Sequence, residues 1–404
     1  MILGIDASQA NRKVRSGTEW YAFHLIDEFK TLLRDRSDVR VVLYLKDAPQ
    51  ADLVNNLPDN FSVKILRWPL KYFWGQIRLS WDILRNTPDV LFCPAHTIPI
   101  STSLLTSPHH LGRRRMRVFT TLHDIGFEDN PELYDKLSLW YHRWSAKFAV
   151  KHAYHIFTIS EFSRQRIMEV YGCPEEKLSV TYLGVNPSAP SGHLPSPGER
   201  KNEYLLFVGR LEPKKNILNI VKAYEKFVSL RAQAKQSQGE TEIASSQAPR
   251  NDIPDLILAG RKVRVADVED YLSKRSELAK RVRFTGYISE GEKQQLYRDT
   301  AVFVFPTFYE GFGIPILEAQ SFGVPVITSN RTANPEIAGE GALIVNPESV
   351  NDIAAAIGKL LGDQSLREEK IRLGLENVKR FSWGETAKLT LAKLMSSRTR
   401  SGNY

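Results

Sequence analysis

Two glutamates, Glu310 and Glu318, stand with seven residues between them in Phe305-Pro-Thr-Phe-Tyr-Glu-Gly-Phe-Gly-Ile-Pro-Ile-Leu-Glu-Ala. The apolar run ending at Phe305 reads as a buried strand. Pro315 suits a first helical position, where its missing N–H costs nothing. Gly311 and Gly313 lie in the loop between, and glycine there lets the backbone approach a ligand closely. The free N–H groups and dipole at the start of that helix would attract an anion. Glu318, one turn into the helix, can accept hydrogen bonds from a pair of vicinal hydroxyls. Glu310 precedes the glycines and faces whatever lies against the loop. Taken alone, the pair fits a strand–loop–helix with two surface glutamates equally well.

A second group of residues carries positive charge. Leu205-Leu-Phe-Val-Gly-Arg-Leu-Glu-Pro-Lys-Lys-Asn-Ile delivers Gly209 and Arg210 at a strand end, and Lys215 follows five residues after Arg210 as a helix begins. Crevices beyond the carboxyl ends of strands are where open α/β sheets bind ligands. Two fixed cations there can stabilise a departing diphosphate as its charge grows. A solvated surface pair is the alternative, and Lys214 reads as the solvated neighbour. No Asp-x-Asp ends a strand, the usual device for holding a divalent cation against a nucleotide diphosphate, and the two basic side chains can replace that ion's charge. Neither a metal nor a cofactor is therefore expected.

The glutamate phrase, continued by Ser321-Phe-Gly-Val-Pro-Val-Ile-Thr-Ser-Asn and Pro335-Glu336-Ile337, resembles the Glu-x7-Glu motif of retaining glycosyltransferases of family four, which have the two-domain GT-B fold. The resemblance implies that Glu318 binds the ribose of a sugar nucleotide and that Glu310 lies near the transferred sugar. It implies that the backbone at Phe312, Gly313 and Ile314 contacts that sugar and its phosphates. It likewise implies that Gly209, Arg210 and Lys215 serve the diphosphate. In Thr120-Thr-Leu-His123-Asp124 it implies that His123 lies beside the transferred sugar and the acceptor, although most lone histidines are structural. Relatives have two glycines before the first helix; here only Gly17 matches, in Arg15-Ser-Gly-Thr-Glu-Trp-Tyr, and Ser16 or Thr18 fits a helix cap as well. Ser160 and Glu161 read as a cap.

These residues need a frame. Short apolar runs at 2–5, 39–45, 63–66, 90–92, 118–122, 156–159 and 178–182 alternate with segments of helical period. The pattern resumes at 204–208, 256–259, 282–285, 301–305, 324–328 and 343–345. Such alternation implies parallel sheets with helical crossovers. The expected architecture is α/β, a GT-B pair of Rossmann-like domains facing an interdomain cleft. Its parts are an acceptor domain (1–186), a proline-rich linker (187–200) and a nucleotide-sugar domain (201–382). A last helix within 383–404 is expected to fold back on the first domain. Segment 231–252 has one large apolar residue, Ile243, and reads as a mobile surface insertion.

The 404 residues are 42% apolar and 25% charged, which excludes collagen, wholesale disorder and a disulfide scaffold. Cys93 and Cys173 fit no zinc or dithiol spacing. No apolar run is long enough to cross a bilayer, and residues 1–6 lack a secretory signal pattern. The expected location is cytoplasmic, peripheral on the inner face of the plasma membrane. Fifty-five basic against 46 acidic residues leave a net charge of +9, which favours anionic partners. Residues 61–85 hold five basic side chains, one acid and six aromatics, and Arg113, Arg114, Arg115 and Arg117 cluster. That composition suits an anionic membrane surface; a buried aromatic helix with a basic loop suits it equally. Nucleic acid is not an expected partner, since no binding motif accompanies the charges.

The expected reaction is retaining transfer of a hexose from a sugar nucleotide to a saccharide or lipid-linked saccharide, in cell-surface polysaccharide synthesis. GDP-mannose is the first candidate donor, from the similarity of Ser329-Asn-Arg-Thr-Ala-Asn-Pro-Glu to mannosyltransferases. A UDP-sugar-dependent transferase and a non-catalytic nucleotide-sugar-binding protein are the alternatives.

Overall fold

The computed structural model describes residues 1–70, 72–106, 116–185, 204–239 and 253–396. The chain divides into two compact units, Met1–Gly184 with Phe381–Tyr404, and Val185–Arg380.

The first unit is built on seven strands: β1 (Ile2–Asp6), β2 (Arg40–Leu45), β3 (Phe61–Ile65), β4 (Val90–Cys93), β5 (Arg117–Thr121), β6 (His155–Thr158) and β7 (Leu178–Val180). Their order is β3-β2-β1-β4-β5-β6-β7, every pairing parallel. Central strands such as β4 and β6 are buried along their whole length. That is why they read as unbroken apolar runs rather than alternating ones. The helix Gly17–Leu33 buries Leu25, Ile26, Phe29 and Leu33. Ser160 caps the helix Glu161–Tyr171 by accepting from the Ser163 N–H at 3.1 Å.

Helix Trp383–Met395 belongs to this unit despite its place in the sequence. The Trp383 ring stacks on His24 with centroids 4.7 Å apart. Thr386 donates its hydroxyl to the Tyr182 carbonyl. A Cβ on Gly184 would lie 2.3 Å from the Trp383 nitrogen, so only glycine lets the two segments meet.

The second unit holds six parallel strands: β8 (Tyr204–Val208), β9 (Leu256–Ala259), β10 (Val282–Gly286), β11 (Thr300–Phe305), β12 (Val326–Ser329) and β13 (Ala342–Val345), ordered β10-β9-β8-β11-β12-β13. Both β8 and β11 are buried throughout. In each sheet one junction joins strands distant in sequence, β1 with β4 and β8 with β11. Such a switch point opens a crevice at the carboxyl ends of the strands.

Of the expected insertion at 231–252, residues 231–239 continue the helix that starts at Ile217, in keeping with the helix propensity of Ala, Gln and Lys; residues 240–252 lie outside the described residues. So do the linker 187–200 and Arg113, Arg114 and Arg115. Both cysteines are free and buried. Among the described residues no helix is long and apolar enough to cross a membrane.

Candidate active site

In the second unit the site residues gather at the β8/β11 switch point. Gly209 (φ +153°) ends β8 against Gly260 (φ +138°), where a Cβ would stand 1.9 Å from the Gly209 oxygen. The chain then makes a tight turn at Pro213–Lys215, closed by Asn216 in the left-handed region (φ +62°). The Asn216 amide donates to the Pro306 and Pro347 carbonyls at 2.9 and 2.6 Å. The Phe308 N–H donates to the Lys214 carbonyl at 2.9 Å. These bonds latch the β8 loop to the β11 loop and bring Lys215 onto Glu310 as an ion pair. Each of the two side chains is only 13% exposed. Arg210 does not join them: its side chain is 64% exposed and lies 3.4 Å from Glu212.

The Glu310 N–H donates to Thr332 Oγ1 at 3.1 Å. Thr332 sits at φ +56°, an uncommon and costly conformation for a β-branched residue. Gly313 takes φ +100° before the helix Ile314–Ser321, and a Cβ there would press on Ile316 and on Asn334 Oδ1 at 3.1 and 3.2 Å. Asn334 is fully buried. Its amide donates to Thr307 Oγ1 at 2.9 Å and Ser329 Oγ at 2.8 Å, while its Oδ1 has no donor among the described residues. Phe312 is buried.

Glu318 is already oriented. Lys293 donates to its Oε1 at 2.7 Å and the Tyr297 hydroxyl to its Oε2 at 2.9 Å. Burial pulls the Lys293 ammonium down, but the Glu318 and Glu290 carboxylates outweigh it and hold its pKa above the ordinary value. Burial, then the same carboxylate, pushes the Tyr297 phenol well up, so it stays a donor. Each carboxylate oxygen has a second lone pair left for a hydroxyl.

In the first unit His123 follows β5 and is buried. Its Nε2 lies 3.0 Å from the Pro94 carbonyl. A carbonyl only accepts, so Nε2 carries the hydrogen and Nδ1 keeps its lone pair. Burial holds the pKa of His123 below the usual value, which leaves the ring neutral. The Tyr21 ring meets it edge-on at 4.7 Å, and His96 lies at 5.2 Å. Gly17 is the first residue of its helix, and a Cβ there would meet nothing within 4 Å. Neither backbone nor neighbours demand glycine at 17, which is exposed at the start of the helix. Ser16 is the N-cap, paired with Glu19 in a capping box.

At the β1/β4 switch point lies a cavity of about 740 Å³, lined among others by Asp6, Lys13, Lys46, Phe73, Gln76 and Thr97. Asp6 Oδ1 accepts from the Ser8 N–H and hydroxyl at 3.0 and 2.6 Å. Desolvation raises the Asp6 pKa. Phe73 stands at φ +65°, ahead of the π-helical turn Trp74–Leu79. Of the aromatic segment 61–85, Trp74 is buried whereas Tyr72, Phe73 and Trp81 are exposed.

Sequence reasoning missed Lys293, Tyr297, Gly260, Thr332, Asn334 and Asp6. Gly260, directly after the apolar run 256–259, carried a readable signal; the partners of Glu318 did not. Among the described residues no cluster of His, Cys, Asp or Glu could hold a metal ion.

Known proteins match both units. Residues 195–374 match the family model of glycosyl transferases group 1, and residues 15–189 that of Glycosyltransferase Family 4. O-antigen chain mannosyltransferase B of Escherichia coli is 34% identical over 281 residues, covering 68% of this chain and 69% of that protein. O-antigen chain mannosyltransferase RfbU of Salmonella typhimurium is 26% identical over 360 residues, covering 86% and 88%. Among solved structures, Anabaena Alr3699/HepE in complex with UDP and glucose superposes with a TM-score of 0.66 at 18% identity, over 98% of this chain and 99% of that one. WaaG, a glycosyltransferase involved in lipopolysaccharide biosynthesis, gives 0.65 at 14% identity, over 98% and 100%. At those identities the structures speak for the fold alone, which is GT-B.

Proposed function

The chain belongs to the glycosyl transferases of group 1, in glycosyltransferase family 4, and from that premise we propose the reaction it performs. A hexose, with mannose from GDP-mannose as first candidate, passes to a hydroxyl of a saccharide or glycolipid with its anomeric configuration retained, in O-antigen-type polysaccharide synthesis. The observation that carries this reading is the Lys215–Glu310 pair at the β8/β11 switch point, beside a glutamate held by Lys293 and Tyr297. The names of the two mannosyltransferase relatives support the choice of sugar.

Both glutamates at this site are engaged, Glu310 by Lys215 and Glu318 by Lys293, and the proposal gives neither the part of a covalent nucleophile. Transfer on one face is the better route. The bond from the anomeric carbon to the diphosphate breaks, and a bond to the acceptor oxygen forms on the same side. The acceptor's proton passes to a phosphate oxygen of the leaving group, giving the glycoside and the nucleoside diphosphate. Lys215 and the exposed Arg210 meet the growing charge, in place of a metal ion. Glu318 accepts from the ribose hydroxyls, and the neutral His123 accepts at Nδ1 from the moving sugar. Phe312, Gly313 and Ile314 offer backbone to sugar and phosphates, Gly209 lets the β8 loop turn, and Gly17 leaves room for the diphosphate. The acceptor enters the cavity of Asp6.

The test is a thermal-shift panel of GDP-, UDP-, ADP- and dTDP-sugars, then turnover in excess chelator. A ligand at 100 times its Kd adds about 2.7 kcal/mol of apparent stability. GDP-mannose is expected to stabilise and to turn over with chelator present. A shift with UDP-sugars alone selects the alternative donor, and binding without turnover selects the non-catalytic reading. A folded sample that responds to no sugar nucleotide overturns the proposal, and loss of activity in chelator overturns metal independence.

A further inference from the structure

At the opposite end of the first sheet lies a second cavity, of about 620 Å³, that the proposed reaction does not use. It opens at the amino-terminal ends of β5 and β6, whereas His123 follows the carboxyl end of β5. Arg117 and Thr121 bound that strand, so at ~3.3 Å per residue the cavity stands roughly 13 Å below the catalytic edge. Its walls carry Arg117, Lys151, His152, Lys177 and Lys393 against a single acid, Glu176.

Two of these cations have structural employment. Arg117 donates to the Leu394 and Ser396 carbonyls at the end of the last helix. Lys177 donates to Val150 and Lys151 at the end of helix Lys136–His152. Both therefore sit at negative helix ends. Lys151 and Lys393 have no such duty: the ammonium group of neither has a hydrogen bond or ion pair with a described residue. The local excess of charge is felt. Burial first, then Lys151 and Lys177, lowers the pKa of His152, and burial lowers that of Lys177.

We infer that this cavity binds a phosphoryl group, with Lys151 and Lys393 as its two mobile arms and Arg117 and Lys177 as its fixed floor. A phosphate is the chemistry that answers four convergent ammonium and guanidinium groups with charge-assisted hydrogen bonds. It comes either as a soluble phosphate or as the headgroup of an anionic lipid. Arg210 and Lys215 belong to the other unit, and the occupancy of this cavity does not depend on the transfer reaction.

Calorimetric titration with pyrophosphate tests this, because the donor site answers to the same probe and can be deleted separately. The wild-type chain is expected to take up two equivalents, Lys215→Met one, and Lys151→Gln/Lys393→Gln one. For the basic cavity of the first unit, loss of two charge-assisted contacts weakens binding about a hundredfold, tenfold for each. Lys151→Arg/Lys393→Arg keeps the site and so separates charge from fold. Phosphatidylglycerol vesicles form the second arm. Cosedimentation of Lys215→Met that the double glutamine variant loses makes the source a lipid headgroup; pyrophosphate binding without it makes the source soluble. Pyrophosphate stoichiometry and vesicle binding both indifferent to Lys151→Gln/Lys393→Gln overturn the inference. Failure of the donor-site reading would instead show as an unchanged Lys215→Met titration.

Discussion

Replacing Lys215 by methionine separates what the Lys215–Glu310 pair does for the fold from what it does for the reaction. Both side chains are 13% exposed, between the surface limit, where a pair is worth under about 1 kcal/mol, and full burial, where removing one partner costs about 3–5 kcal/mol. A cost of about 2 kcal/mol follows, because the Glu310 carboxylate keeps its burial and loses its counter-charge. For a unit of this size that is a fall of roughly 4–8 °C in Tm. Lys215→Met/Glu310→Gln removes the stranded charge and is expected to recover most of the loss. Catalysis should respond differently. Loss of one preorganised group facing the leaving diphosphate costs about 10²–10³ in kcat, and the second substitution cannot restore it. Melting curves and steady-state release of nucleoside diphosphate, measured on both variants, are the assay. If Lys215→Met keeps kcat within a few-fold while its Tm falls, Lys215 is only a partner for Glu310. If the double variant regains both stability and turnover, the charge argument fails as well.

Four further outcomes are expected. Tyr297→Phe and Glu318→Gln should raise the donor KM about tenfold, one charge-assisted hydrogen bond, with a smaller change in kcat; an unchanged KM would remove Glu318 from the ribose. Burial lowers the pKa of His24 to about 4 and, with His123 adding to the effect, that of His96 to about 3. The unfolded chain therefore takes up protons first: stability is full above about pH 6.5, the unfolded value, and falls as pH drops toward 4. Melts at pH 7 and 5 check the sign, and His24→Asn should flatten the slope. Desolvation raises the pKa of Asp6, so its charge opposes folding near neutrality. Asp6→Asn should melt higher at pH 7 yet bind acceptor more weakly, donor KM unchanged. Exposed Trp81 and Tyr72, with Arg78 and Arg85 nearby in sequence, are expected to hold the chain on phosphatidylglycerol vesicles; equal cosedimentation of Trp81→Ala would count against a docking role for that segment.

The strand pattern was legible because both sheets are parallel, so their inner strands are buried along their length and each is an apolar run of its own, as in Tyr204–Val208. Pro315, Gly313 and the Ser160 cap were legible for a similar reason: their signals are local. What the sequence hides is pairing across the fold. Lys293 and Tyr297, four apart on one helix, look like surface residues until the turn of Ile314–Ser321 sets Glu318 against them. Arg210 and Lys215 look equivalent in sequence, yet the turn closed by Asn216 sends one to Glu310 and the other toward solvent near Glu212. Asp6 closes an apolar run and gives no hint that its carboxylate borders a cavity. The polarity of Arg231 to Gly239 gave no sign that the helix begun at Ile217 continues there, since polar residues of high helix propensity can extend a helix already nucleated inside the unit.

The chain leaves its first unit after Gly184 and re-enters it at Phe381. In topology the second unit is thus a guest spliced into the first. During synthesis the guest emerges whole while its host still lacks the helix Trp383–Met395, so the order of maturation inverts the order of translation. Trimming the carboxyl terminus would strip Trp383 from His24 and Gly184. The damage would then surface around Tyr21 and His123, far from the cut in sequence.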